Sequence, residues 1–415
     1  MNNLTGIDRE VVVFIERLEK IGKEAGRFIY TMIFDFTIDP QSKENFIRRT
    51  ELTFPENKSM IEISYISFEK YGTPREGSFY ELPDALMTNV NWITVEEDEE
   101  FGATYLAFKA TYQSPLYFNR ALNYSRYVQN TDSPNNLALN SFLSNLFDKL
   151  TNNNIHIGVY NVGQGNWNEI SFDDQLIITY DFGSSSSQVF GRLLKSIIRA
   201  RRVREILERI DKAEIRKILI ISHWDTDHYI GINSLTDKQI QLFEYCIVPA
   251  RIENETTRRV YNRLVQHSQV IPITMSEQVV GNGQAHRLTN IYDSSVLKIY
   301  KGTKCYNRNK RGLVLSIHSQ NDDFIFPGDH YYEQLMNYVL PNCTNTKFNF
   351  VVPHHGGNAG TYQLINTIDI PGASDAVISA GGRYGHPLIG IVQHFTNLFP
   401  VVHDTSINNH YIKII

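Results

Sequence analysis

Apolar and polar positions alternate along this chain in two different rhythms. Over residues 8–25, Val11, Val12, Val13, Ile15, Leu18 and Ile21 recur among charged residues at a spacing that predicts an amphipathic helix. The segments 28–38, 60–68, 90–95 and 104–110 are rich in aromatic and β-branched residues and predict strands. A helical pattern at 138–150 closes this first part. From Ile155 onward, short apolar runs alternate with longer amphipathic ones. Strands are predicted at 155–162, 169–172, 176–180, 218–222, 245–249, 296–300, 313–318, 323–326, 348–352 and 376–379. Helices are predicted at 189–210, 256–267, 331–340, 360–367 and 388–398. Polar stretches at 129–136 and 151–154 are candidate linkers, and the boundary is set at 150, giving domains 1–150 and 151–415. A strand-rich start followed by alternation predicts an N-terminal α+β domain and then mixed α/β sheets covered by helices.

Composition adds bounds. The 415 residues leave room for two domains with proper cores, and 42% apolar with 20% charged residues is ordinary for a globular protein. A net charge of −5 argues against coating nucleic acid by bulk electrostatics, although a local basic cleft stays open. Cys246, Cys305 and Cys343 lie far apart and form no CxxC pair, which suits reduced thiols in a cytosolic protein. The first residues lack the charged leader and apolar segment of a signal peptide, and no apolar run reaches the roughly 20 residues of a spanning helix. A cytoplasmic protein without a membrane segment is expected. The acidic run 96–100 reads as a solvated hairpin tip.

The chemistry concentrates in His223-Trp224-Asp225-Thr226-Asp227-His228, which places four potential metal ligands directly after the apolar strand ending at Ser222. A strand end holds the backbone rigidly, and the turn after it can curl several side chains around one point. Imidazole and carboxylate together suit zinc, manganese or iron. Three other apolar runs end in ligand-type side chains beside glycine: Asp181-Phe182-Gly183, Gly328-Asp329-His330 and Pro353-His354-His355-Gly356. Each alone is a weak or moderate signal. Their order and spacing together are hard to produce by chance.

In these motifs, residues 155–415 resemble the metallo-β-lactamase superfamily, and within it the hydrolase domain of ComEC competence proteins and its soluble relatives. The shared features are the Asn161-Val162-Gly163-Gln164-Gly165 turn, Asp181-Phe182-Gly183, Ser222 to His228 followed by Gly231, Gly328-Asp329, Pro353 to Gly356, and Tyr384-Gly385-His386-Pro387. Two positions depart from the family pattern: Asn166-Trp167 stands where an acidic and a small residue are usual, and Gly357 where serine is usual. The resemblance implies a four-layer αββα sandwich with metals at one edge of two sheets.

It also implies roles. The superfamily often binds two metals. One site would take His223, Asp225 and a further histidine, for which His267, His286 and His318 stand in no recognisable context. The other would take Asp227, His228 and His354, with Asp329 bridging both ions. Asp225, where a histidine is usual, hardens the first site toward manganese or magnesium. One tightly held divalent ion and a weaker second one are expected. Asp227 would accept a proton from the attacking water, Asp181 would orient a ligand histidine, and His355 and His386 would donate a proton to the leaving group or contact phosphate.

Basic residues cluster on the predicted helix after Asp181, among them Arg201 and Arg202, and again at Lys304 and Arg308. They read either as solvated faces with ion pairs or as phosphate contacts. The leading expectation is a phosphodiesterase or nuclease acting on nucleic acid or a nucleotide. The others are an ester, lactone or amide hydrolase on the same site, and a non-catalytic binding module with a structural metal. The N-terminal domain would bind a protein partner or restrict the substrate.

Overall fold

The computed structural model describes residues 10–55, 58–69, 72–96, 106–121, 127–131, 134, 136–151, 154–163, 165–172, 176–184, 216–274, 287–303, 307–366, 372–381 and 386–415. The chain forms two compact units. The first takes residues 1–130 with 186–188 and 251–262, and the second takes 131–185, 189–250 and 263–415.

In the first unit, five consecutive residues from Val11 to Ile15 are buried, more than one face of a helix can bury. Val11, Val13 and Ile15 pack into one core, whereas Val12 and Phe14 pack with Phe79 and Tyr127 in another. That alternation is the period of a strand covered on both faces. The helix predicted at 8–25 is therefore replaced by strand β1 (Val12–Glu24), paired with β2 (Arg27–Phe36) and β4 (Ser78–Glu81). Leu18 is half-buried against the first core and Ile21 exposed, so the residues that suggested a helical stripe do not line a single face. With β3 (Met60–Phe68), β5 (Ile93–Thr94), β6 (Leu106–Thr111), β7 (Pro115–Leu116) and β8 (Asn119–Arg120), the described residues form a sheet ordered β5-β6-β3-β2-β1-β4-β8, with β7 beside β3. Helix α1 (Pro40–Thr50) starts on Asp39, whose side chain accepts from the Gln41 amide, and lays Phe46 against Phe36. The segment 251–262 docks on this sheet: Asp35 accepts from the Thr256 amide at 2.8 Å, and Asn254 donates to Glu16.

Residues 131–150, placed in the first domain by the sequence pattern, belong to the second unit. Leu139, Leu143, Leu146 and Phe147 of α2 (Asn136–Phe147) pack into that unit's core. Its strands are β9 (Ile155–Val159), β10 (Trp167–Phe172), β11 (Leu176–Phe182), β12 (Arg216–Ile220), β13 (Tyr245–Pro249), β14 (Gln269–Ile273), β15 (Leu288–Asp293), β16 (Leu297–Gly302), β17 (Leu313–His318), β18 (Asp322–Phe326), β19 (Lys347–Val351), β20 (Ala373–Ile378), β21 (Val401–Asp404) and β22 (Tyr411–Ile414). They form one sheet ordered β14-β13-β12-β11-β10-β9-β22 and a second running from β15 to β21 in sequence order. Each is antiparallel in one half and parallel in the other. The parallel halves are β11 to β14 and β18 to β21.

The two sheets share one core. In β17, Leu313, Leu315 and Ile317 point into it beside Ile170, Ile178 and Ile220, while Val314 points outward under α4 (Tyr332–Tyr338) and α5 (Ile389–Leu398). This α/β sandwich of two stacked sheets, with an additional α+β unit, is the fold class expected from the sequence. Smaller expectations differ: 360–367 contains only the short turn Tyr362–Leu364, and 90–95 only the two residues of β5. The helix expected at 189–210 and the acidic tip beyond Glu96 lie outside the described residues. Among the described residues, no helix is long and apolar enough to cross a membrane.

Candidate metal centre

Strands β11 and β12 in one sheet, and β18 and β19 in the other, end at the same edge of the sandwich. These are corresponding strands, the first parallel pair of each sheet, and the carboxyl ends of parallel strands are where open α/β sheets receive ligands. Asp181 closes β11, Ser222 and His223 follow β12, Asp329 follows β18, and His354 and His355 follow β19. Helix α3 (Thr226–Tyr229), four residues long, supplies Asp227 and His228. Asp181, His354 and His355 all have positive φ (60°, 52° and 54°), a conformation that costs a non-glycine residue free energy. Their clustering at one edge is the pattern of a site rather than of a scaffold. Gly183 permits the tight entry, because a Cβ there would lie 1.6 Å from the Asp227 carbonyl oxygen.

A hydrogen-bond chain fixes the imidazoles. Asp181 accepts from the Ser222 amide (2.6 Å), the Ser222 hydroxyl (2.9 Å) and His228 Nδ1 (2.8 Å). A carboxylate only accepts, so His228 carries its proton on Nδ1 and the hydroxyl proton points at Asp181. The Ser222 oxygen is then left to accept from His223 Nδ1 at 3.0 Å. His355 Nδ1 donates to the Ser379 carbonyl at 2.6 Å, and His354 Nδ1 lies 3.3 Å from the Asn358 carbonyl. All four rings thus present Nε2 as the remaining ligand atom.

Those nitrogens face carboxylates. His228 Nε2 lies 3.2 Å from Asp329 Oδ1, His223 Nε2 3.6 Å from Asp329 Oδ2, and His355 Nε2 3.4 Å from Asp227 Oδ2. Nε2 of His223, His228 and His355 and Oδ1 of Asp329 are buried without a hydrogen-bond partner. Buried polar atoms left so are costly unless something occupies the space between them. Ligands about 2.1 Å from an ion lie roughly 3.0–3.5 Å apart, so the spacing fits a divalent cation. Among the described residues, two groups can hold one: His223, His228 and Asp329, or Asp227, His228 and His355.

The electrostatics agree. Burial works against a charged His228, but the carboxylates of Asp329 and Asp181 outweigh it and hold its imidazole well above the ordinary value. Burial likewise disfavours a charged Asp329, yet His354 and His228 hold its carboxyl well below the usual range. His330, adjacent in sequence, is pushed down to about 4 by burial, and its Nδ1 lies 3.1 Å from Gln334.

Several sequence expectations are redistributed. His355, expected as a proton donor, lies in one of the two ligand groups with Asp227. His354, expected as a ligand, sits at the rim with its side chain 27% exposed, 3.7 Å from Asp329, its ring 5.3 Å from that of His386. Asp225 is near His223 (3.3 Å) but joins neither group among the described residues. Arg308, expected to reach substrate, is instead buried and ion-paired with Asp225, because its turn packs against the motif. Arg201, Arg202 and Lys304 lie outside the described residues. Ser222 was missed as a relay between Asp181 and His223. The Ser-His pair beside an acidic strand end was its only sequence signal.

No family model matches the chain, and no curated protein matches it significantly. Among the solved structures that resemble it is human tRNase Z, short form, at 9% identity and a TM-score of 0.30, covering 60% of this chain and 92% of that one. Another is a diphosphatase from the PhnP family, at 9% identity and a TM-score of 0.31, covering 58% of this chain and 81% of that one.

Proposed function

We propose that this protein is a metal-dependent hydrolase of the metallo-β-lactamase type that cleaves phosphodiester bonds in nucleic acid or a nucleotide. The observation that carries the reading is the convergence of buried, partnerless Nε2 and Oδ1 atoms from two corresponding strand ends. The ComEC-like order of motifs favours phosphodiesters among possible substrates. His228, Asp227 and His355, with Asp329 and His223 beside them, would hold the ion. A divalent ion there, zinc or manganese with magnesium as a third choice, supplies a water of lowered pKa and polarises the bond to be cleaved.

The chain's own residues do the rest. Asp181 holds His228 in the tautomer that ligates, and the Ser379 carbonyl does the same for His355. Asp227, facing His355, is placed to accept a proton from the attacking water. His354 and His386 form a pair of imidazoles at the open rim, where one can donate a proton to the departing oxygen.

Incubation with manganese or zinc should convert bis-p-nitrophenyl phosphate and at least one of single-stranded DNA, double-stranded DNA or RNA, and Asp227→Ala should not. Hydrolysis of a p-nitrophenyl ester alone would replace this reading by the carboxylic-ester alternative.

Because neighbouring carboxylates raise the pKa of His228, an incoming ion must displace a proton from Nε2. Ion affinity should therefore fall as pH drops below that raised value, by about tenfold per unit for one proton. Titration in weakly buffered solution should record proton release on binding. An affinity that is flat with pH, with no release, would contradict this.

A further inference from the structure

Asp225 stands apart from its neighbours in the motif. Asp227 and His228 each fall in a group that can hold an ion, and Asp225 falls in neither among the described residues. It occupies the N-cap of α3, yet its side chain accepts no capping hydrogen bond, so the common structural use of aspartate there is not made. What engages it is Arg308. The two side chains form a close ion pair with exposures of 15% and 5%, and Arg308 Nη1 donates to the Trp224 carbonyl at 2.9 Å. The guanidinium thus grips a backbone and a side chain of consecutive motif residues.

The turn bearing Arg308 is fixed against the motif. The Leu313 amide donates to the Ser222 carbonyl at 2.8 Å, and a Cβ on Gly312 would lie 2.6 Å from that same oxygen. Asn307 caps the turn by accepting from the Asn309 amide, Asn309 reaches Asp329 Oδ2 at 3.4 Å, and Gln334 donates to the Lys310 carbonyl at 3.1 Å. Arg308 is held in place and does not reach into solvent.

A buried carboxylate needs a cation, since an unpaired one is strongly destabilising. At Asp225 that cation is supplied by the chain. The two ligand groups share His228, and its Nε2 has one lone pair, so it serves one ion at a time. A second ion beside His223 would draw on Asp225, whose Oδ2 lies 3.3 Å from His223 Nε2.

We propose that the Arg308 guanidinium is a built-in counter-cation that takes the place of a second metal ion at Asp225, so that the chain holds one divalent ion. Arg308 is then a positioning residue that sets the stoichiometry of the centre. The proposal rests on the metal-centre reading above, and ion counting separates the two. The full chain, stripped with chelator, is dialysed to equilibrium against manganese and, separately, zinc, and bound metal is measured per chain. Wild type should hold one ion. Arg308→Met, similar in length but uncharged, should hold two, and the double variant Arg308→Met/Asp225→Asn should return to one. If Arg308→Met does not fold, Asp225→Asn with Arg308 intact decides: it should still hold one ion, and loss of that ion would overturn the proposal. Two ions in wild type, or a folded Arg308→Met that stays at one, would overturn the proposal and leave the metal centre standing. No ion in wild type would overturn both.

Discussion

Replacing His228 with alanine is expected to strip the protein of divalent metal and to lower phosphodiester turnover by roughly a thousandfold, the equivalent of about 4 kcal/mol of transition-state stabilisation. The size of the effect follows from where His228 sits. It belongs to both groups that can hold an ion, whereas His223 and His355 each belong to one. It is also the ring that Asp181 fixes most directly, at 2.8 Å. His223→Ala and His355→Ala should therefore lose less affinity than His228→Ala. Removing Asp181 should weaken metal binding by about 10–100-fold through the freed ring alone. Isothermal titration with manganese, beside turnover of bis-p-nitrophenyl phosphate, orders the variants. An order in which His228→Ala keeps its ion while His355→Ala loses it would refute the shared-ligand geometry.

Among the described residues of the second unit, Gly183→Ala should be one of the most disruptive single-methyl changes. The new Cβ would lie 1.6 Å from the Asp227 carbonyl oxygen, 2.2 Å from its carbon and 2.8 Å from the His228 amide nitrogen. All three are backbone atoms, so no side chain can swing away. The Gly183 amide also donates to the Asn166 carbonyl at 2.7 Å, and the Asn166 amide to the Asp227 carbonyl at 2.8 Å, which ties the crowded segments together. Overpacking of a tolerant core costs about 1–3 kcal/mol, and a backbone obstacle places this variant at or above the top of that range. Because the displaced atoms carry Asp227 and His228, metal affinity should fall with stability. Gly22→Ala is the control: nothing lies within 4 Å of its Cβ, so it should unfold at the wild-type denaturant concentration. Urea denaturation of both variants, with and without metal, tests the contrast.

The second unit was largely legible in the sequence because its strands are short apolar runs buried on both faces. Leu313–His318 is observed as predicted from Leu-Val-Leu-Ser-Ile-His alone. Strands at the margins were not legible: β22 lies at the edge of its sheet, where Ile412 and Ile414 are exposed, and it carries no core pattern. The start of the chain misled for a related reason. Its valines fill two separate cores, and Leu18 and Ile21 imitate a helical stripe without packing as one. In the site, residue types and order marked the ligand-bearing strand ends, because strand–ligand–glycine is a local pattern. What order could not decide was the choice between His354 and His355. Both rings stem from one turn at positive φ, and the turn sends one inward and leaves the other at the rim. Nor could it foresee Arg308, whose partner lies more than eighty residues earlier in the chain and is set by packing at Gly312.

The placement of the site on corresponding strands of two sheets has a consequence for how the protein comes into being. Its ligands run from Asp181, which orients, to His355, which closes the set, and no contiguous fragment of one sheet contains them all. During synthesis neither ligand group can form until a strand of the second sheet has left the ribosome, β18 for Asp329 or β19 for His355. Such non-local pairing is slow to form. Bound metal is therefore a reporter of the joining of both sheets, and a nascent or truncated chain that stops before β18 can assemble neither group.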